Sequence, residues 1–449
     1  MSYSRRQLLG LTGIAVAGLA GTGTGAGLGL ARTRGVRSYR ESPRPQQAHR
    51  PEPLWRFRVT GPQDVVLTAA GPVIFAADAH RLYALRTADA SVMWEAPAAP
   101  VTPVAGTDLV YLIGDDGGLS ARNIRNGSTR WDFPSGNAGA SAPVLDESVV
   151  YVGGAEIWAL DARTGSPLWQ VPCLSAADGG SDSPITVTGD TLFTASSYMI
   201  RALDKNSGIE RWRFRSPGET FSAGPEIAQG VVCGSCSIYN SSQSILFALD
   251  GHSGEHLWTL TYPTGVFALK TIANMVYAAG GFTNEPDGLY ATGESVLISA
   301  LAAKSGARAW TRTLANLNPT FVSEGKTAIL SPYATPGPGG VTYPGGADSE
   351  TGLSALSLSD GRIKWQMTSA GWTLTSPPVI AGAWVCAGFA QESIRVIHVE
   401  TGQTKWNMPM DLMSGPVVSD GVVFGVEADS PGPLYGNTSI HGSIYAIRI

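Results

Sequence analysis

Ala159-Leu160-Asp161-Ala162-Arg163-Thr164-Gly165-Ser166-Pro167-Leu168-Trp169 is the clearest copy of a phrase that recurs along the chain. Close copies run from Ala202-Leu203-Asp204 through Gly208 to Trp212, and from Ala248-Leu249-Asp250 through Gly254 to Trp258. Looser copies set Gly127 before Trp131, Gly306 before Trp310, Gly361 before Trp365 and Gly402 before Trp406. In the first copy Ala90 stands where glycine would precede Trp94. Eight tryptophans therefore share one register at intervals of 37 to 55 residues, close to the repeat length of propeller blades.

The phrase reads as a β-hairpin. Ala-Leu is the end of a short strand, and Asp-x-x-Thr/Ser-Gly is a polar turn whose glycine supplies a positive φ. The run ending in Trp starts the returning strand. Two further strand-like runs precede each hairpin, as in Ala142-Pro143-Val144-Leu145 followed by Ser148-Val149-Val150-Tyr151-Val152. Each unit is thus a four-stranded antiparallel meander, which cannot cover both its faces alone but can do so by radial stacking.

The predicted fold is all-β, a single β-propeller of eight or nine blades. Its ring is closed by the two ends of the chain. Ser443-Ile444-Tyr445-Ala446-Ile447-Arg448-Ile449 is a strand lacking its turn, and Pro53-Leu54-Trp55-Arg56-Phe57-Arg58-Val59 is the missing half. Trp55 lies 39 residues before Trp94, in register. A large indole recurring in every sheet is expected to pack between blades. Trp55, Trp94, Trp131, Trp169, Trp212, Trp258, Trp310, Trp365 and Trp406 are accordingly assigned to structure. Trp372 and Trp384 fall outside the register and are assigned to core packing.

The repeated phrase resembles that of the pyrroloquinoline-quinone-like propellers, over residues 53–449. That family includes quinoprotein alcohol dehydrogenases, the propeller lipoprotein of the outer-membrane assembly machinery, and sensor domains of some bacterial kinases. The resemblance implies the fold and not an activity. Its dehydrogenases carry adjacent cysteines over the quinone, a Glu/Asn/Asp set for calcium and a catalytic Asp. Cys173, Cys233, Cys236 and Cys386 include no adjacent pair, and no residue matches the other motifs, so no catalytic residue is carried over.

Residues 1–31 read as a twin-arginine export signal. Ser4-Arg5-Arg6-Gln7-Leu8-Leu9 leads into an apolar run ending at Leu30, with a small-x-small cleavage site at Gly29-Leu30-Ala31. The alternative is an uncleaved anchor, the run being about long enough to span a bilayer. No cysteine lies near the site, so lipid modification there is not expected. Residues 32–52 form a Pro/Arg-rich linker expected to be disordered, with membrane contact only through it or an uncleaved signal. Residues 53–449 are the propeller. The chain carries a formal −5, and residues 1–50 hold eight arginines and one glutamate, so the remainder carries −12. Such an acidic body is a poor binder of nucleic acid.

Export permits disulfides. Cys233-Gly-Ser-Cys236 could be a local bridge, a redox pair or half of a metal site, but the sequence favours a structural bridge or buried free thiols. The six histidines are scattered, and no HExxH, nucleophile elbow or phosphate-cradling loop occurs. Asp161, Asp204 and Asp250 are read as turn formers.

Departures from the period mark where function is expected. Extra residues fall at one point of the unit, over 235–244, 282–293, 331–352 and 427–442, and so emerge on one face. The candidate binding residues there are Tyr239, Asn240, Asn284, Asp287, Tyr290, Tyr333, Tyr343, Asp348, Asp429, Tyr435 and Asn437. Tyr with Asn and Asp suits protein, peptide or carbohydrate contact. The functional expectation is an exported, non-catalytic, monomeric binding or scaffold protein of the cell envelope, with an envelope protein or glycan as partner and no cofactor. The alternatives are a PQQ- and calcium-dependent oxidoreductase, and a sensor or assembly partner of another envelope protein.

Overall fold

The computed structural model describes residues 51–60, 65–78, 80–99, 101–114, 116–134, 142–154, 156–174, 185–281, 295–315, 319–332, 350–370, 378–389, 393–409, 415–428 and 441–449. The expected export signal and nearly all of the linker lie outside them. The described residues form strands and turns without a helix, arranged in nine four-stranded antiparallel sheets. Eight are meanders over consecutive stretches, at 66–97, 104–133, 144–172, 186–215, 221–262, 265–315, 319–370 and 379–408. The ninth joins Val417–Ser419, Val422–Ala428 and His441–Arg448 to Trp55–Thr60 from the other end of the chain. The higher of the two expected blade numbers is therefore correct.

The ring closes through six antiparallel pairs, from Trp55 opposite Ala446 to Thr60 opposite His441. The first strand of the ninth blade lies against that of the first. There is no single central core. Nine apolar clusters among the described residues each straddle one interface between neighbouring blades.

The hairpin phrase works by a specific geometry. Asp161 N–H donates to Ser166 O at 2.9 Å, and Gly165 N–H donates to Asp161 O at 2.8 Å. The Asp161 carboxylate accepts the main-chain N–H of Arg163 and Thr164 and the Thr164 hydroxyl. Gly165, at φ +73°, turns the chain back and leaves one extra residue, so the register shifts between Ala159 and Leu160. The ninth blade, having no turn there, pairs without a shift.

The same glycine explains the tryptophan. A Cβ on Gly165 would lie 2.6 Å from the Trp131 ring of the preceding blade. The Trp131 indole N–H donates to Ala162 O of the same turn at 3.0 Å. Eight of the nine indoles thus lie beneath the next blade's turn and are tied to its main chain. Trp55, Trp94, Trp169, Trp212, Trp258, Trp310 and Trp365 repeat the hydrogen bond. Trp169 and Trp365 are half-buried and the rest of the set is buried. Trp406 faces the split blade, where no turn supplies a carbonyl, and its buried indole nitrogen has no partner among the described residues.

Candidate functional site

Within each blade the connection between second and third strands lies on the same face as the connection to the next blade. The hairpin turns lie on the other. By antiparallel alternation, the described strand ends that flank the long segments lie on that first face. Part of their extra length is strand rather than loop. In the fifth blade Val231–Ser237 and Ser244–Asp250 pair through Ser237 and Ser244, leaving only 238–243 as loop. In the seventh blade Thr327–Pro332 and Glu350–Ser357 absorb both ends of the 331–352 segment. In the ninth, Glu427 pairs with Ser443 and Ala428 with Gly442. A polar strand end carries no apolar alternation, so in the sequence these residues look like loop.

Of the candidate residues, Tyr239 and Asn240 are described. Asn284, Asp287, Tyr290, Tyr333, Tyr343, Asp348, Asp429, Tyr435 and Asn437 lie outside the described residues. Tyr239 is 68% exposed at the loop tip, and Asn240 follows in the left-handed region at φ +51°. Ser241 N–H donates to Ile238 O, and its hydroxyl accepts Gln243 N–H, so the loop is held by its own polar groups.

Beside it runs the connector from the fourth blade to the fifth, over 216–220. Ser216 N–H donates to Tyr198 O at 2.8 Å, Glu219 N–H to Ser237 O at 3.0 Å, and Ser237 N–H to Thr220 O at 3.0 Å. Gly218 is required here, since a Cβ would collide with the Ser237 carbonyl. The connector therefore ties the Tyr198 loop to the Tyr239 loop and builds one surface rich in hydroxyls. Tyr198, 36% exposed, belongs to this surface and is not evident from the sequence, because its loop has ordinary length. Beneath, Ser222 and Ser235 share a hydrogen bond at 2.8 Å. Tyr262 is fully buried, donates to the next blade at Ala278 O, Leu297 O or Ser299 Oγ, and has its phenol pushed up to about 12 by burial. It is a strut between blades rather than an acid.

The turn face carries several ion pairs. Lys364 Nζ sits 2.5 Å from both Thr327 Oγ1 and Glu400 Oε2, and its ammonium holds the Glu400 carboxyl below its usual range. A hydroxyl between an ammonium and a carboxylate could suggest a nucleophile, but Thr327 is fully buried. Arg211 makes the equivalent contact with Thr191 at 2.8 Å and binds Asp190 and Asp204. Recurrence at one position of the blade marks a structural clamp. Trp384, expected in the core, is half-buried with Lys405 4.7 Å above its ring and His398 at its edge.

None of the four cysteines forms a disulfide. Cys233 and Cys236 stand three apart on one strand and so point to opposite faces, which excludes the local bridge. Burial pushes the Cys233 and Cys386 thiols up to about 12. Among the described residues no group of three or more His, Cys, Asp or Glu is placed to hold a metal ion. No redox step is derived from the described residues.

This architecture defines a propeller built from pyrroloquinoline-quinone-type repeats. The family model described as outer membrane protein assembly factor BamB matches residues 47–156, 153–320 and 287–447, and the chain belongs to that family. It is 31% identical over 156 residues to serine/threonine-protein kinase AfsK of Streptomyces griseus, covering 32% of this chain and 19% of the kinase. It is 26% identical over 271 residues to BamB of Burkholderia pseudomallei, covering 57% of this chain and 63% of that protein. A quinoprotein ethanol dehydrogenase of Pseudomonas aeruginosa is 24% identical over 174 residues, 33% of this chain and 27% of the enzyme. The chain thus spans less than two thirds of the length of each of these relatives.

Proposed function

We propose that this protein is an exported, non-catalytic scaffold of the cell envelope that binds a partner protein through its long-loop face. The twin-arginine stretch at Arg5-Arg6 and the apolar run after it support export. Membership of the BamB family supports an envelope role and a protein partner. The observation that carries the choice of face is the exposed Tyr239, held at the tip of a self-bonded loop beside the Tyr198 connector. A rigidly presented tyrosine offers large contact area at small entropic cost.

The test is proximity crosslinking in the envelope from position 242, exposed in the same loop, with Tyr239 intact and again in the Tyr239→Ala variant. Capture of one protein that Tyr239→Ala weakens by about tenfold or more, with an unchanged melting temperature, is the expected result. Equal capture by the variant, or by a crosslinker placed on the turn face, would sink the choice of face. The second reading, a quinone-dependent oxidoreductase, draws on the likeness to the ethanol dehydrogenase. It requires that PQQ with calcium produce a bound-cofactor absorbance and raise the melting temperature.

A further inference from the structure

On the turn face, opposite the long loops, a cleft of about 510 Å³ opens between the first and second blades. Its origin is legible in the innermost strands. Ala70 of the first blade and Ala105 of the second line it, and both pack against the same apolar cluster. At the next interface Gly106 is instead met by Leu145, whose Cδ2 comes within 3.1 Å of the position a Cβ on Gly106 would take. Two alanines leave unfilled what a leucine fills one blade further on. Met93 adds a flexible apolar wall.

The mouth of this cleft carries Arg125 and Asp108, both exposed. Several charges on the turn face neutralise one another, Lys205 with Asp146 at 2.6 Å, Lys364 with Glu400 at 2.5 Å, and Arg211 with Asp204 at 2.6 Å. Among the described residues, the Arg125 guanidinium and the Asp108 carboxylate have no such partner, and their hydrogen bonds run through main-chain atoms.

We propose that this cleft binds the carboxyl-terminal end of a short peptide whose last side chain is aliphatic. The terminal carboxylate pairs with the planar guanidinium of Arg125, which suits it in a two-bond fork. Asp108 accepts a main-chain N–H, and the side chain enters between Ala70 and Ala105. One charge of each sign at the rim disfavours a purely anionic or purely cationic ligand. The volume falls in the range of about 300–1,000 Å³ typical of small-ligand sites, which the end of a peptide fills better than one amino acid. The site is independent of the loop-face reading.

Fluorescence anisotropy with the full chain and fluorescein-labelled Gly-Gly-Ala-Leu tests the assignment. The free acid is expected to bind saturably. Amidating its terminus, or substituting Arg125→Gln, should each weaken binding by at least about tenfold, and the two together by little more. Ala105→Leu should abolish binding at an unchanged melting temperature. Ala70→Leu, from the opposite wall, serves the same purpose if Ala105→Leu disturbs folding. No saturable binding, equal binding of acid and amide, or competition by free leucine as strong as by the peptide would overturn the proposal.

Discussion

Gly165 and Gly230 have almost the same backbone conformation, φ +73° and +75°, but different surroundings. A Cβ at Gly230 meets nothing within 4 Å, whereas at Gly165 it meets the Trp131 ring at 2.6 Å. Substituting Gly230→Ala should cost only the left-handed penalty, about 1–2 kcal/mol. Gly165→Ala should cost a further amount on the order of 1–3 kcal/mol for overpacking the indole. Equal losses in chemical denaturation would show that the indole contact contributes nothing. Losing the ring altogether is more damaging still, and Trp131→Ala should cost about 3–5 kcal/mol. The turn aspartates set a pH dependence. Hydrogen bonds from Thr164 hold Asp161 low, and bonds to Ser357 and Arg362 hold Asp360 down to about 2. A depressed carboxyl stabilises the fold above its unfolded pKa of about 3.9, and that stabilisation is lost as pH falls through the folded value. The melting temperature should therefore fall between about pH 4 and pH 2, and less steeply in Asp161→Asn. An unchanged slope in that variant would remove the turn from the account.

At the scale of strands, the CxxC is instructive. In sequence it resembles a bridge or a redox pair, but period-two alternation sends Cys233 and Cys236 into different interfaces. Cys233 packs beside Trp258 and Val266, and its thiol ionises only near 12. Native protein at pH 8 should therefore leave Cys233 and Cys386 unreacted with a disulfide reagent, while denaturation should release four thiols. Recovery of two thiols would restore a bridge. Ring closure is also a property of strands. Trp55–Thr60 covers the edge of His441–Arg448, and its Trp55 lies under the first blade's turn, bonded to Thr87 O at 2.7 Å. Removing residues through 60 should expose an edge strand, lower the melting temperature and promote association. Unchanged melting and a monomeric elution would mean that the seam closes by other contacts.

For the whole molecule, the repeat in the sequence and the ring in space answer different questions. The Gly-to-Trp spacing and the turn aspartates specify hairpins and blades, because these are set by contacts within about one repeat length, and the complementary ends around Trp55 and Ile447 specify closure, because each is half of the same repeat. Even the count of nine was present in the nine tryptophans of the register. What the sequence left open depends on which atoms meet from different blades. It did not reveal that eight of the nine indoles donate to the following turn, that Trp406 finds no acceptor among the described residues, or that Tyr198 joins Tyr239 through Gly218. Nor could it place Ala70 opposite Ala105, since a cleft is the absence of a side chain that only a neighbouring strand could have supplied. Periodicity fixes local geometry from the covalent chain, whereas a surface or a cleft exists only once separate strands have been brought together.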